Sequence, residues 1–178
     1  MAESSFSIDV AAIRERARRK MTDGPVTAGY GRSAEEVIGV LNDVLATEIV
    51  CWMRYAQHAI SATGIDRAQV AAEFAEHAAE ERDHAMRAAE RISQLGGDPD
   101  FDPETLARRS HTTYATFDDG DLRGMLQENL VAERIVIESY QEIIRWLGDG
   151  DVTTRRIMED ILAEEEEHAD DLMDLLGN

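Results

Sequence analysis

Residues 70–95 read VAAEFAEHAAEERDHAMRAAERISQL, a proline-free run of helical period with Glu81-Arg82-Asp83-His84 at its centre. Val70, Phe74, His77, Glu81, His84, Ala88 and Leu95 recur at helical spacings, so the acid and the two histidines lie on the face that an amphipathic helix buries. Residues three apart on a helix sit on one side about a turn from each other, and Glu81 and His84 therefore offer a carboxylate and an imidazole to one point. The pattern returns as Glu165-Glu166-Glu167-His168, on a second seam made by Met158, Ile161, Glu165, His168, Leu172 and Leu175. Each copy is half of a metal site.

Working outward, four long helices are predicted, with almost no strand signal between the three prolines. The first runs from about Ser33, an N-cap with Glu36 three residues on, to about Ala62; the second runs from about Asp66 to Leu95, where Gly96-Gly97 and Pro99 stop it. Gly64 marks the break between them. Residues 96 to 120 are rich in Pro, Asp and Thr and too long for a tight turn, with room for one short helix from about Pro103 to Arg109. The third helix spans about Asp121 to Leu147 and the fourth about Val152 to Leu176, separated by Gly148-Asp149-Gly150. Short, long and short connections make two antiparallel hairpins joined by a crossover between the second and third helices, an all-α four-helix bundle of the ferritin-like kind. Residues 1 to 32 form an N-terminal extension with a possible short helix from Asp9 to Met21, residues 33 to 178 form the bundle, and no fifth helix is expected after the fourth.

Every helix has one acid on its seam. In the first the seam is Val37, Leu41, Val44, Cys51, Tyr55 and Ala62, interrupted by Glu48; in the third it is Leu122, Leu126, Leu130, Ile137, Tyr140, Ile144 and Leu147, interrupted by Glu133. Glu48 and Glu81 are equidistant from the break at Gly64 and Ile65, and Glu133 and Glu165 are equidistant from Asp149, so each hairpin brings its two acids level. Six ligands, Glu48, Glu81, His84, Glu133, Glu165 and His168, are expected to converge.

At 178 residues, 43% hydrophobic and 31% charged, the chain has the size and balance of one globular domain. Cys51 is the one cysteine, so no internal disulfide forms, as suits a reducing compartment. The N-terminus lacks an apolar export segment and no run is long enough to span a bilayer, so a cytoplasmic protein without membrane attachment is expected. A formal net charge of -19 disfavours nucleic acid and anionic membranes and favours cations. The run Arg14, Arg16, Arg18, Arg19 and Lys20 is offset by Glu3, Asp9 and Glu15, so a solvated helix or an intersubunit contact is expected there rather than DNA binding.

Four carboxylates buried without a partner would be protonated or would destabilise the core, and two divalent cations offset their charge. Carboxylate with imidazole suits iron or manganese better than a thiolate-rich site would, although zinc competes. Two Fe(II) ions can each pass one electron to O2 or hydrogen peroxide, which makes ferroxidase chemistry the expectation. One Glu-x-x-His alone on an acidic helix is a solvated face, and three of the four acids from Glu164 to Glu167 are expected to be that. It is the combination, on seams and level in pairs, that indicates a metal centre, because fully buried Glu is rare without pairing.

At these residues the chain resembles bacterioferritin and its relatives among the ferritin-like proteins. Leu41-Asn42-Asp43-Val44-Leu45-Ala46-Thr47-Glu48 is similar to that family's first helix, Tyr55 matches its tyrosine beside the diiron centre, and the likeness covers roughly residues 35 to 176. The resemblance implies that Glu48 and His84 serve one iron and Glu133 and His168 the other, with Glu81 and Glu165 bridging. It also implies iron uptake, Fe(II) oxidation and a hollow oligomer storing ferric mineral. Arg82 stands where bacterioferritin has its haem-holding methionine, so haem is not expected. Without the fifth helix, the chain looks more like the Dps-like proteins with an intrasubunit site, and a homo-oligomer of twelve subunits is expected over one of twenty-four. The alternatives are a non-storage diiron oxidase or peroxidase of the rubrerythrin-like class and a DNA-protecting Dps-type protein.

Some side chains keep two readings. His77 is an extra iron ligand or a cavity histidine; Glu76 and Glu80 guide iron or are solvated; Tyr55 donates an electron or is a buried aromatic with a bonded hydroxyl. Cys51 is expected to be a packed core thiol, and His58 and His111 have no assigned partner.

Overall fold

Side-chain oxygens start most of the helices of this protein, whose computed structural model describes residues 6–19, 21–117 and 121–177. Asp9 accepts from the Ala12 N–H at the head of α1 (Val10–Arg16), Ser33 from the Glu36 N–H at α2 (Ala34–Ser61), Asp121 from the Gly124 N–H at α5 (Leu122–Leu147) and Asp151 from the Thr154 N–H at α6 (Val152–Leu176). Asp66 precedes α3 (Arg67–Gln94) without a side-chain cap bond, and α4 (Leu106–Arg109) is a single turn in the crossover. Lys20, the last base of the leader run, lies outside the described residues.

Helices α2 and α3 form one antiparallel hairpin and α5 and α6 the other, and the crossover carries α4 against α2. The fold is the ferritin-like four-helix bundle with short accessory helices. Both short helices are shorter than the stretches in which the sequence leaves room for them. In the crossover, Asp100 accepts from the Asp102 N–H and Asp102 from the Glu104 N–H, and residues 103–105 form a turn, closed by the Thr105 N–H on the Asp102 carbonyl, before the helix begins at Leu106. In the leader the chain leaves α1 after Arg16 and makes a 3-10 turn at Met21–Asp23.

The leader is anchored at the turn between α5 and α6. Tyr30 donates to Asp151 (2.7 Å), the Gly31 N–H donates to the Gly150 carbonyl (3.0 Å), and Arg32 reaches the carbonyls of Trp146 and Leu147 while its guanidinium stacks over the Trp146 ring. A Cβ on Gly31 would sit 2.9 Å from the Gly150 Cα, so this approach requires glycine.

Two apolar clusters fill the bundle. One holds Leu41, Leu45, Ile92, Leu147, Met158 and Ile161, the other Tyr55, Phe74, Met125 and Leu172. The seams of α2 and α3 are buried throughout as read. That of α5 holds in part: Leu126, Glu133, Tyr140 and Leu147 are buried as read, but Met125, Asn129, Ala132 and Val136 are buried beside them, whereas Leu122, Leu130, Ile137 and Ile144 are half-buried. Among the described residues no helix is long and apolar enough to cross a membrane.

Candidate metal centre

Between the two apolar clusters every long helix contributes an acid to one polar layer. Glu48 from α2, Glu81 and His84 from α3, Glu133 from α5, and Glu165 and His168 from α6 are all buried. Their ligand atoms fall into two groups, Glu48, Glu81, His84 and Glu165, and Glu81, Glu133, Glu165 and His168, with the atoms within 4.8 Å of one another in each. Glu81 and Glu165 belong to both. The two oxygens of Glu165 face different histidines, at 3.0 Å from His84 Nδ1 and 3.3 Å from His168 Nδ1, and the two oxygens of Glu81 do the same at 3.9 and 3.8 Å. Each of these carboxylates can therefore span two positions.

Outer partners hold this set from behind. Tyr55 donates its hydroxyl to Glu133 and Tyr140 donates to Glu48, leaving the second oxygen of each acid directed inward. His84 donates from Nε2 to Glu164 (2.6 Å) and His168 from Nε2 to Glu80 (2.8 Å), which turns both Nδ1 atoms toward the centre. Glu164, still partly exposed, is thus also bonded to the site, and it pairs with Arg87 at 3.1 Å. Glu80 likewise reaches into the site. What would have revealed both is their place one residue before the bridging acids, on the edge of the same seam.

The six residues suit divalent cations. Glu48 Oε2, both oxygens of Glu81, Glu133 Oε2, Glu165 Oε2 and His168 Nδ1 are buried and lack any hydrogen-bond partner. So many orphaned buried ligand atoms would destabilise the fold unless protons or cations satisfied them.

In the metal-free protein protons meet part of this need. Burial, and then the Glu165 carboxylate, hold Glu81 well above the ordinary carboxylate range, and the same two causes raise Glu133. Burial would also raise Glu165, yet the two imidazoles beside it, His168 and His84, outweigh burial and hold it low. Burial opposes charge on the two imidazoles, but the Glu165 carboxylate beside them overrides it, so His84 is raised to about 11 and His168 to about 9. Burial lifts Tyr55 and Tyr140 far above the usual phenol range, and both remain donors.

Beside the centre, a cavity of about 80 Å³ opens between α3 and α6. Glu73, Glu76, Glu80, Glu164, Glu167 and Asp171 line it, with His77 and His168. On the other side, Arg54 is fully buried and bonds Asn129 (2.8 Å) and the Thr113 carbonyl (3.0 Å). Cys51 is the buried thiol expected, against Thr112 and Arg54, and burial pushes it up to about 12. His58 takes Asn129 and the Ala115 carbonyl as partners; the His111 N–H donates to Thr47, and its ring lies edge-on to Tyr140.

Comparison with known proteins follows the same lines. The ferritin-like domain family matches residues 38–178. A bacterioferritin of Desulfovibrio desulfuricans is 30% identical over 135 residues, which is 75% of this chain and 70% of that protein. Among solved structures, a dodecameric thioferritin, the bacterioferritin-related protein of Bacteroides fragilis, superposes with a TM-score of 0.79 at 38% identity, covering 83% of this chain and 88% of that one. An archaeal Dps homologue from Halobacterium salinarum superposes with a TM-score of 0.76 at 25% identity, covering 86% and 92%. The chain belongs to the ferritin-like domain family, with bacterioferritin and a bacterioferritin-related protein among its relatives.

Proposed function

We propose that this protein takes up Fe(II), oxidises it at a dinuclear centre inside each subunit with O2 or hydrogen peroxide, and keeps the ferric product as mineral in a hollow homo-oligomer of twelve. One observation carries the reading: two ligand groups share Glu81 and Glu165 and leave six buried ligand atoms without partners. Glu48 and His84 would hold one cation, Glu133 and His168 the other, with Glu81 and Glu165 between them. A pair of Fe(II) ions supplies two electrons, one from each, to the oxidant.

The protein's own contribution is positioning, exclusion of water and proton handling. Tyr140 and Tyr55 fix the terminal acids, and Glu164 and Glu80 fix the imidazoles, so that the donors are arranged before a cation arrives. The apolar clusters on both sides exclude solvent, which strengthens the attraction between cations and carboxylates. Protons now on His84, His168, Glu81 and Glu133 must leave when cations bind, and the acidic cavity offers them a path. Twelve subunits are supported by the dodecamer of the Bacteroides fragilis relative.

The double substitution Glu48→Ala with Glu133→Ala is expected to abolish rapid Fe(II) oxidation, followed by absorbance of the ferric product, without loss of helical circular dichroism. An unchanged oxidation rate would remove the assignment of these residues.

A further inference from the structure

The proposed centre does not account for His77. The residue is 1% exposed, and neither ring nitrogen has a hydrogen-bond partner, although it lines a cavity crowded with acids. Its ring is held in place. It stacks on His168 with centroids 4.1 Å apart and meets Tyr55 edge-on at 5.2 Å. Nε2 faces Glu73 Oε1 at 3.4 Å and Asp171 Oδ2 at 3.6 Å, beyond a good hydrogen bond in both cases. Two ligands bonded to one cation at about 2.1 Å, with about 110° between them, lie roughly 3.4 Å apart. The observed separations therefore match a shared cation better than direct bonding.

The three residues come from the two helices that carry the Glu-x-x-His motifs. Glu73 is one turn before His77 on α3, and Asp171 is one turn after His168 on α6, so the fold that orders the paired centre also orders this group. Their ligand atoms lie within 4.8 Å of one another. The two carboxylates remain partly open to solvent, with side chains 29% and 44% exposed, so a bound ion would keep water in its remaining positions and exchange readily.

We propose that Glu73, His77 and Asp171 form a mononuclear divalent-cation site in the acidic cavity between α3 and α6, separate from the dinuclear centre and one ring-stack away from it. As a cation site it stands on its own geometry; its role as the last stop of Fe(II) before His168 rests on the function proposed above.

The test uses the assembled protein with Co(II), which is not oxidised by air at these ligands and is located by anomalous diffraction. Crystals equilibrated with Co(II) are expected to show three ions per chain, one of them between Glu73, His77 and Asp171. Asp171→Asn, a change at a partly exposed position, and His77→Gln should each remove that ion and leave the other two. The Glu48→Ala, Glu133→Ala protein should keep it while losing the pair, so failure of the dinuclear reading and failure of this one are separable. Absence of Co(II) between the three residues of the wild-type protein overturns the site. For delivery, Asp171→Asn should raise the Fe(II) concentration for half-maximal oxidation about tenfold, with the saturated rate within about twofold. An unchanged half-maximal concentration overturns the delivery role.

Discussion

Glu80 and Glu164 set the orientation of the two imidazoles without being candidate ligands themselves. Replacing either with Gln weakens the acceptor behind a histidine while keeping its shape, and a loss of roughly 10- to 100-fold in divalent-cation affinity is expected, measured by Co(II) titration. The proton inventory makes a second prediction. His84 and His168 titrate above the ordinary histidine value, so they stabilise the metal-free fold fully below about pH 6.5, an effect lost as pH rises through about 9 and then about 11. Glu81 and Glu133 are raised too and also favour the folded state less as pH rises, whereas low-lying Glu165 withdraws its contribution only on acidification. Thermal scans of metal-free protein should therefore show greatest stability between about pH 5 and 6.5, falling by several degrees toward pH 9. The stabilisation on adding Co(II) should grow over the same interval, because the cation no longer has to displace protons. A Co(II) increment independent of pH contradicts this account. The six inward residues were legible as residue types on seams, whereas their outer partners were masked: Glu164 stands in a run of acids, and only its place one residue before Glu165, on the edge of the seam, sets it apart from the exposed Glu166 and Glu167.

Among the elements, one buried cation ties the later part of the crossover to the bundle. Arg54 on α2 ties the segment around Thr112 and Thr113 to Asn129 on α5, which is itself bonded to His58. Arg54→Met keeps the volume but leaves Asn129 Oδ1 and the Thr113 carbonyl without this donor, and a loss of about 2–4 kcal/mol in unfolding free energy is expected in chemical denaturation. If the loss is below about 0.5 kcal/mol, the crossover does not rest on this side chain. The four long helices were legible because caps, glycines and a period of 3.6 agree along their whole length. The crossover was legible only as a long irregular connection. Its order comes from side-chain to backbone bonds at Asp100, Asp102 and Arg109, and such bonds leave no periodic trace. The seam of α5 was read about a position off in places because Asn129 and Ala132 carry little hydrophobic signal although the packing buries them.

For the whole molecule, assembly is the property that would join the proposed oxidation to storage. Light scattering combined with iron analysis should find a particle of about twelve chains, following the related dodecamer, that retains many irons per subunit after aerobic loading; a dimer with two metals per chain would instead indicate a non-storage diiron enzyme. From the sequence alone one can read a bundle of two hairpins and the depth at which four acids and two histidines meet, because helix rise and period convert residue number into height and direction. Only the tertiary structure decides which carboxylate stands between which histidines, that Tyr55 and Tyr140 hold Glu133 and Glu48, and that His77 faces Glu73 and Asp171 across a gap. Those relations join side chains on different helices at a precision of tenths of an ångström, and they depend on the rotation of each helix about its own axis, which the chain acquires only when the helices pack.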